Sequence, residues 1–268
     1  MKPGPIVALV FVAIVGGVVF WHLRETGPKV PVAGPASSLP APAPAAPAPS
    51  AMAQAASLPP LPPVASSEAI AAEDVPAAIE GLVGKPALSA FRLDDFARRV
   101  VATVDNLARE RASPALWPVA STPGRFTVRT SGGATVIDPD NGQRYAPFVQ
   151  MIERVDTRQA VGVYRRMLPL LQPAYEALGY PGKSFDERLV AVIDHLLAAP
   201  EPAGPIRVHL PAFTGPVQPS RPWLLYEFDD PALESLSAGQ KLMVRMGPVD
   251  ERRVKLRLRE LRGLLVAR

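Results

Sequence analysis

Apolar positions fall into three regimes along the chain. Residues 6–23 read IVALVFVAIVGGVVFWHL, a run of 18 with no side chain formally charged at neutral pH. At 1.5 Å per residue such a helix is about 27 Å long, close to the ~30 Å hydrocarbon core of a bilayer. The run predicts one transmembrane helix. It is followed by Trp21-His22-Leu23-Arg24-Glu25, bulky and charged, where a signal peptide would offer small residues for cleavage. An uncleaved anchor is therefore favoured over a removed leader. Lys2 and the α-amino group lie on one side; Arg24 and Lys29 on the other make the bias weak, and the charge-free stretch 30–67 beyond them tips it. The positive-inside bias then sets the amino end in the cytoplasm and the remainder outside it.

Residues 28–67 have no periodicity. They contain PAPAPAAPAPS and then LPPLPPV. Proline removes backbone donors and fixes φ, so neither helix nor ladder is expected. An extended, semi-rigid spacer with a reach on the order of 100 Å follows. Recognition of a PxxP motif by a partner domain is the other reading. The repeat lacks the basic flank that such ligands offer, and the spacer is preferred.

From residue 68 a 3.6-residue period appears. Helices are expected over Val75–Val83, closed by Gly84 and Pro86, and over 94–109, where Phe96, Val100, Val101, Val104 and Leu107 share a face. Residues 125–129 and 134–138 alternate around Ser131-Gly132-Gly133 and predict a hairpin. A helix over 145–154 follows, then one from Thr157 with Asp156 and Gln159 as a capping box. Pro169 and Pro173 should kink or split that helix, and Gly179 and Pro181 should end it. Ser184 with Glu187 caps a helix over 185–199. Residues 206–210 and 223–228 look extended. Asp230-Pro231 opens a short helix, Ser237 with Gln240 caps another, and a last helix over 249–266 carries Val254, Leu258, Leu261 and Leu265 on one stripe. The fold class is mainly α: a compact helical domain with a few short strands, preceded by one transmembrane helix and a Pro/Ala-rich linker. The boundaries are 1–27, 28–67 and 68–268.

Four segments resemble a known family: FRLDDFARRVVATVDN at 91–106, AYEALGYP at 174–181, RLVAVIDHLLAAP at 188–200 and YEFDDPALESLSAGQKLMVRMGP at 226–248. They are similar to a proteobacterial membrane-anchored family catalogued as domain of unknown function 3014, over residues 74–265. The resemblance implies this architecture and a Gram-negative envelope. It implies no activity, ligand or catalytic residue.

Composition narrows the chemistry. With no Cys among 268 residues, disulfides, thiolate metal sites, iron–sulfur clusters and cysteine nucleophiles are excluded. Only His195 and His209 fall in the helical part. Asp138-Pro139-Asp140-Asn141-Gly142 looks like a calcium loop, but its Gly comes one position early and no Glu follows at the required distance, so a plain turn is expected. No nucleophile elbow, P-loop or dinucleotide fingerprint is present. Asp94-Asp95, Asp186-Glu187 and Asp229-Asp230 sit at helix starts, where the helix dipole favours acids. Asp194 and His195 are neighbours, yet adjacent helical residues point about 100° apart. Asp194 should pair with an arginine elsewhere, and His195 should flank the core.

Ligand-binding candidates are Asp105 and Asn106 near a helix end, Asp194 and His195, Glu227 inside an apolar strand, and Gln240 with Arg245. The competing account of Glu227 is a structural ion pair with Arg245 or Lys241. No catalytic residue, metal or cofactor is assigned. Residues 251–268 carry 7 basic and 2 acidic side chains, against 19 and 22 over 68–250. Arg252, Lys255, Arg259 and Arg262 form a stripe that either contacts an anionic surface or is solvated and paired with the acidic body. The functional expectation is a single-pass inner-membrane protein whose periplasmic domain is a non-enzymatic binding or scaffold module. Its expected partners are an envelope protein, lipid or cell wall, and no nucleic acid. The alternatives are a tethered envelope-polymer hydrolase and a cytoplasm-facing adaptor.

Overall fold

The structure is a computed structural model and describes residues 68–120, 122, 124–212 and 221–267. The apolar run at 6–23 and the linker at 28–67 lie outside these residues. Among the described residues no helix is long and apolar enough to cross a membrane.

The elements are α1 (Val75–Val83), α2 (Lys85–Leu88), α3 (Phe96–Leu107), β1 (Val128–Ser131), β2 (Ala134–Ile137), a 3-10 helix (Pro139–Arg144), α4 (Ala146–Arg154), α5 (Thr157–Ala177), α6 (Phe185–Leu197), β3 (Val208–His209), β4 (Glu227–Phe228), α7 (Pro231–Glu234), α8 (Ala238–Met246) and α9 (Pro248–Val266). The class is mainly helical with two small antiparallel sheets.

Caps set most of the helix starts. The Asp156 side chain accepts from the backbone N–H groups of Arg158 (2.9 Å) and Gln159 (3.0 Å) at α5. Ser184 accepts from Glu187 at α6, Asp230 from Ala232 at α7 and Ser237 from Gln240 at α8. Each relieves orphan donors of a first turn. At the hairpin, Gly132 (φ 58°) and Gly133 (φ 78°) both occupy the left-handed region, and Ser131 faces Ala134 across the turn. A two-residue loop of that shape suits glycine at both positions.

Three expectations need correction. First, α5 is not split: it runs unbroken through Pro169 and Pro173. Both prolines lie on its exposed side, so the carbonyls of Arg165 and Pro169 that lose their amide donors face the solvent side. Second, α3 begins at Phe96 rather than 94, because Asp95 adopts a left-handed conformation (φ 51°). Asp94 and Asp95 do not cap it. They pair with Arg99 and Arg98. Third, residues 222–224 form a turn of 3-10 helix, which leaves only Glu227–Phe228 extended in that stretch.

The main core lies among α3, α4, α5, α6, α8 and α9. Ile79, Val101, Val104, Leu107, Val149, Val192, Ile193, Val254 and Leu258 are wholly buried in it. A smaller core of Val208, Phe228 and Val244 lies under the strands, with Ile137, Tyr226 and Leu236 packed around it. α8 contributes to both: Leu242, Met243 and Met246 to the first, Val244 to the second. Every residue of α8 is buried, so its polar side chains must find partners inside the protein.

Candidate functional site

Four of the sequence candidates, Asp105, Asn106, His195 and Gln240, lie where the end of α3, the length of α6 and the first turn of α8 come together. Asp105 faces inward from α3, its side chain 5% exposed. Arg109, one turn on, donates to Oδ2 at 2.6 Å, and Tyr180 donates to the same oxygen at 3.2 Å. From α6, Arg188 donates from Nε to Oδ1 at 3.1 Å and from Nη2 to the Asp105 carbonyl at 3.1 Å. The bond from Asp105 holds the Arg109 guanidinium above its ordinary pKa. Tyr180 is stacked on Tyr175, with ring centroids 4.7 Å apart. Asn106 is half-buried in the same turn, and its carbonyl accepts from the Arg109 N–H.

Two turns along α6 from Arg188, His195 Nε2 lies 2.8 Å from Ser237 Oγ. Gln240 Nε2 reaches back to the His195 carbonyl at 3.0 Å. Burial and then the nearby Arg188 charge push His195 below its ordinary value, so the ring is neutral at pH 7. Ser237 Oγ also accepts from the Gln240 N–H.

A serine against a neutral imidazole is the start of a nucleophilic dyad, but the rest of the arrangement is a lock. Nucleophilic hydrolysis needs an exposed hydroxyl and an orienting group behind the base. Ser237 is only 8% exposed and is spent on the cap. Asp194 is held by Arg262 of α9, as the helical geometry led us to expect.

Glu227 and Arg245 lie apart from this junction and do not pair. In β4 the period of two sends Phe228 inward and Glu227 outward, its side chain 42% exposed and 3.8 Å from His209. Lys241 is taken by Glu234, which also accepts from the Phe228 N–H at 2.9 Å. Arg245, 8% exposed, donates to the Tyr226 carbonyl at 2.9 Å, and its guanidinium carbon lies 4.9 Å from the Phe228 ring centre. Its Nε is buried with no partner among the described residues, and burial lowers its pKa.

The basic stripe of α9 is not one surface. Lys255 is buried, its side chain 4% exposed, and donates to the Ala199 carbonyl (2.6 Å) and Glu201 (2.8 Å). Glu251 Oε1 is 2.9 Å from the same ammonium but off the line of a hydrogen bond, so that contact is electrostatic. Burial raises the Glu251 carboxyl, while Lys255 holds Glu201 down. Arg252, 3.8 Å from Glu201, and Arg259 remain exposed, and Val249 and Leu256 on the same helix are 63% and 64% exposed. Sequence reasoning missed Arg253 and Arg257. Arg253 pairs with Glu153 and Asp250, and Arg257 donates to the Glu153 and Val155 carbonyls at the end of α4. Their i,i+4 spacing on the basic helix was the available signal.

No motif pointed to an apolar groove of about 550 Å³ between the α1–α2 turn and α4. Leu82, Val83, Val119, Phe148 and Met151 line its apolar part, and Arg144 and Arg154 are its ionised lining groups. Arg144 is held toward Thr122 and the Gly124 carbonyl. Arg154, in the last turn of α4, is exposed and has no hydrogen-bond or ion-pair partner among the described residues. In place of the plain turn expected, Asp138 caps the 3-10 helix Pro139–Arg144: its side chain accepts from the Asp140 N–H, and buried Asn141 ties to the Thr127 backbone. Among the described residues no group of three or more His, Asp or Glu could hold a metal ion.

No curated protein and no solved structure matches the chain. The family described as "Protein of unknown function (DUF3014)" matches residues 96–262, from the first residue of α3 into the last turns of α9, and the chain belongs to that family.

Proposed function

We propose that the chain is a membrane-tethered, non-enzymatic binding module of a Gram-negative cell envelope. Residues 6–23 are its single inner-membrane span, 28–67 a spacer, and the helical domain stands in the periplasm. The observation that carries the binding role is the groove between α1–α2 and α4, a concave apolar surface of the size that ligand sites have. The polar clusters at Asp105, His195 and Lys255 are each closed on internal partners, which supports a structural role for them.

A second contact is supported by the outward side of α9. Its two most exposed large apolar residues, Val249 and Leu256, share the helix with exposed Arg259 and with Arg252, which is also near Glu201, and such a face suits the anionic surface of an envelope membrane. Lys255 has no part in it, and Arg262 is tied to Asp194.

The test uses the full chain in its host. A benzophenone side chain in place of Met151, irradiated in living cells, should give an adduct that the exposed position 158 does not give. No adduct at 151 overturns the groove as a binding site. Protease added to spheroplasts should cut the domain. Full protection, with lysed cells as the cleavage control, overturns the periplasmic placement and favours the cytoplasm-facing adaptor.

A further inference from the structure

We infer that the groove takes an aliphatic anion: an unbranched alkyl chain ending in a carboxylate. This rests on the groove being the binding site, and it names what binds there. Three observations carry it. The first is charge. Arg144 and Arg154 are the ionised lining groups and no acid stands among the lining residues, so the groove attracts an anion. Arg154 is exposed and without a partner among the described residues, and it can close on a carboxylate through two parallel N–H donors.

The second is the state of the backbone around the groove. The Gly84 N–H bonds to Glu80, Ala90 to Ala87, Arg92 to Pro118 and Ala120 to Ala90, while Pro86 and Pro147 have no N–H to give. Among the described residues these amides are engaged within the protein and are not open to an added strand. An extended peptide laid here would bury amides against Leu82, Val83, Phe148 and Met151 without partners, which is costly. An alkyl chain has no amides to satisfy.

The third is the apolar lining itself. It comes from side chains that accept a flexible chain of methylenes, Met151 above all, since an unbranched thioether adapts to its neighbour. Each methylene removed from water adds to affinity, and the anionic head fixes which end lies at Arg154.

The test uses the full chain in nanodiscs of zwitterionic lipid and dodecanoate carrying a diazirine near its methyl end. Adducts should map by mass spectrometry to residues 82–90 and 147–155. Unlabelled dodecanoate should displace the label at about tenfold lower concentration than dodecanol, the advantage of one charge-assisted pair. Arg154→Gln should remove most of that difference, and Arg154→Lys should retain it. Equal displacement by dodecanol, or an unchanged preference in Arg154→Gln, overturns the anion while leaving the groove as an apolar site. Displacement by an acidic amphipathic peptide at lower concentration than dodecanoate overturns the alkyl chain and gives the groove to a helix. If neither the labelled acid nor a labelled alcohol reacts in the groove, the binding role itself falls with the inference.

Discussion

Gly239 and Leu107 touch backbone to backbone: a Cβ on Gly239 would lie 2.9 Å from the Leu107 carbonyl oxygen and 2.5 Å from Leu196 Cδ2. The Ala238 N–H also donates to the Arg109 carbonyl at 2.7 Å. The first turn of α8 is thereby seated on the end of α3, which explains a glycine inside a buried helix. Gly239→Ala should destabilise the domain by about 1–3 kcal/mol, the usual cost of overpacking. Chemical denaturation checks it. An unchanged midpoint would mean that the two helices are not in this contact.

Asp105 is the hub between α3 and α6, and its partners Arg109 and Arg188 are themselves partly exposed. Asp105→Asn removes the charge from both pairs while keeping the shape. The expected loss is about 1–3 kcal/mol, the scale of charge-assisted hydrogen bonds. Arg98→Ala, whose pair with Asp95 is exposed on both sides, should change stability by well under about 1 kcal/mol. Equal effects of the two substitutions would show that Asp105 is no hub.

His195 has a testable pH signature. Its folded value lies below the ordinary 6.5, so near and below that pH the unfolded chain binds more protons than the folded one. Stability should fall as pH drops through about 6.5 and level off once the folded ring itself protonates. Urea midpoints from pH 8 to 5, compared between the parent and His195→Gln, should show a shallower acid limb in the variant. Parallel limbs would remove His195 from the protonation balance.

Lys255→Met should cost about 2–5 kcal/mol at neutral pH, because Glu251 is left buried without its cation. Burial already raises the Glu251 carboxyl, and losing Lys255 raises it further. A raised folded value means that the folded state binds more protons, so the variant should recover stability as pH falls through it. The deficit relative to the parent should therefore shrink toward acid. A deficit that does not change with pH would place the loss in packing alone.

The helix α9 offers a contrast within a single turn. Leu258 is fully buried and Leu256 is 64% exposed. Leu258→Ala should cost about 2–5 kcal/mol, whereas Leu256→Asp should leave the melting midpoint within the range of surface substitutions. If Leu256→Asp also abolishes co-sedimentation of the full chain with phosphatidylglycerol vesicles, the outward side of α9 is a membrane contact. Retained binding would remove that role.

What could be read from the sequence was local. Asp156, Ser184, Asp230 and Ser237 announce their helices because a cap depends on residues two or three positions away. The hairpin followed from Gly132-Gly133 for the same reason. Asp194 could be assigned to an arginine in general but not to Arg262, since that pair spans 68 residues. Glu227 was misjudged because its competitor, Glu234, reaches Lys241 only once α7 has turned back beside β4. The stripe through Lys255 looked solvent-facing for want of Ala199 and Glu201, which cover it from a loop 54 residues earlier. The groove had no motif at all. Its walls, α1–α2 and α4, are ordinary apolar segments until the fold sets them opposite one another.

The dependence of the fold on α9 bears on how the protein is made. Arg253 and Arg257 clamp the end of α4, 100 and more residues upstream, and α9 also packs on α5, α6 and α8. A ribosome delivers this helix after every element it packs on. Until Pro248 onward has emerged, α4, α5, α6 and α8 lack the helix they all pack on, and they can gather only loosely. Closure is therefore a late, all-or-none step in the life of each new chain. A nonsense mutation before residue 248 should yield a fragment that housekeeping proteases clear, instead of a shortened but serviceable domain.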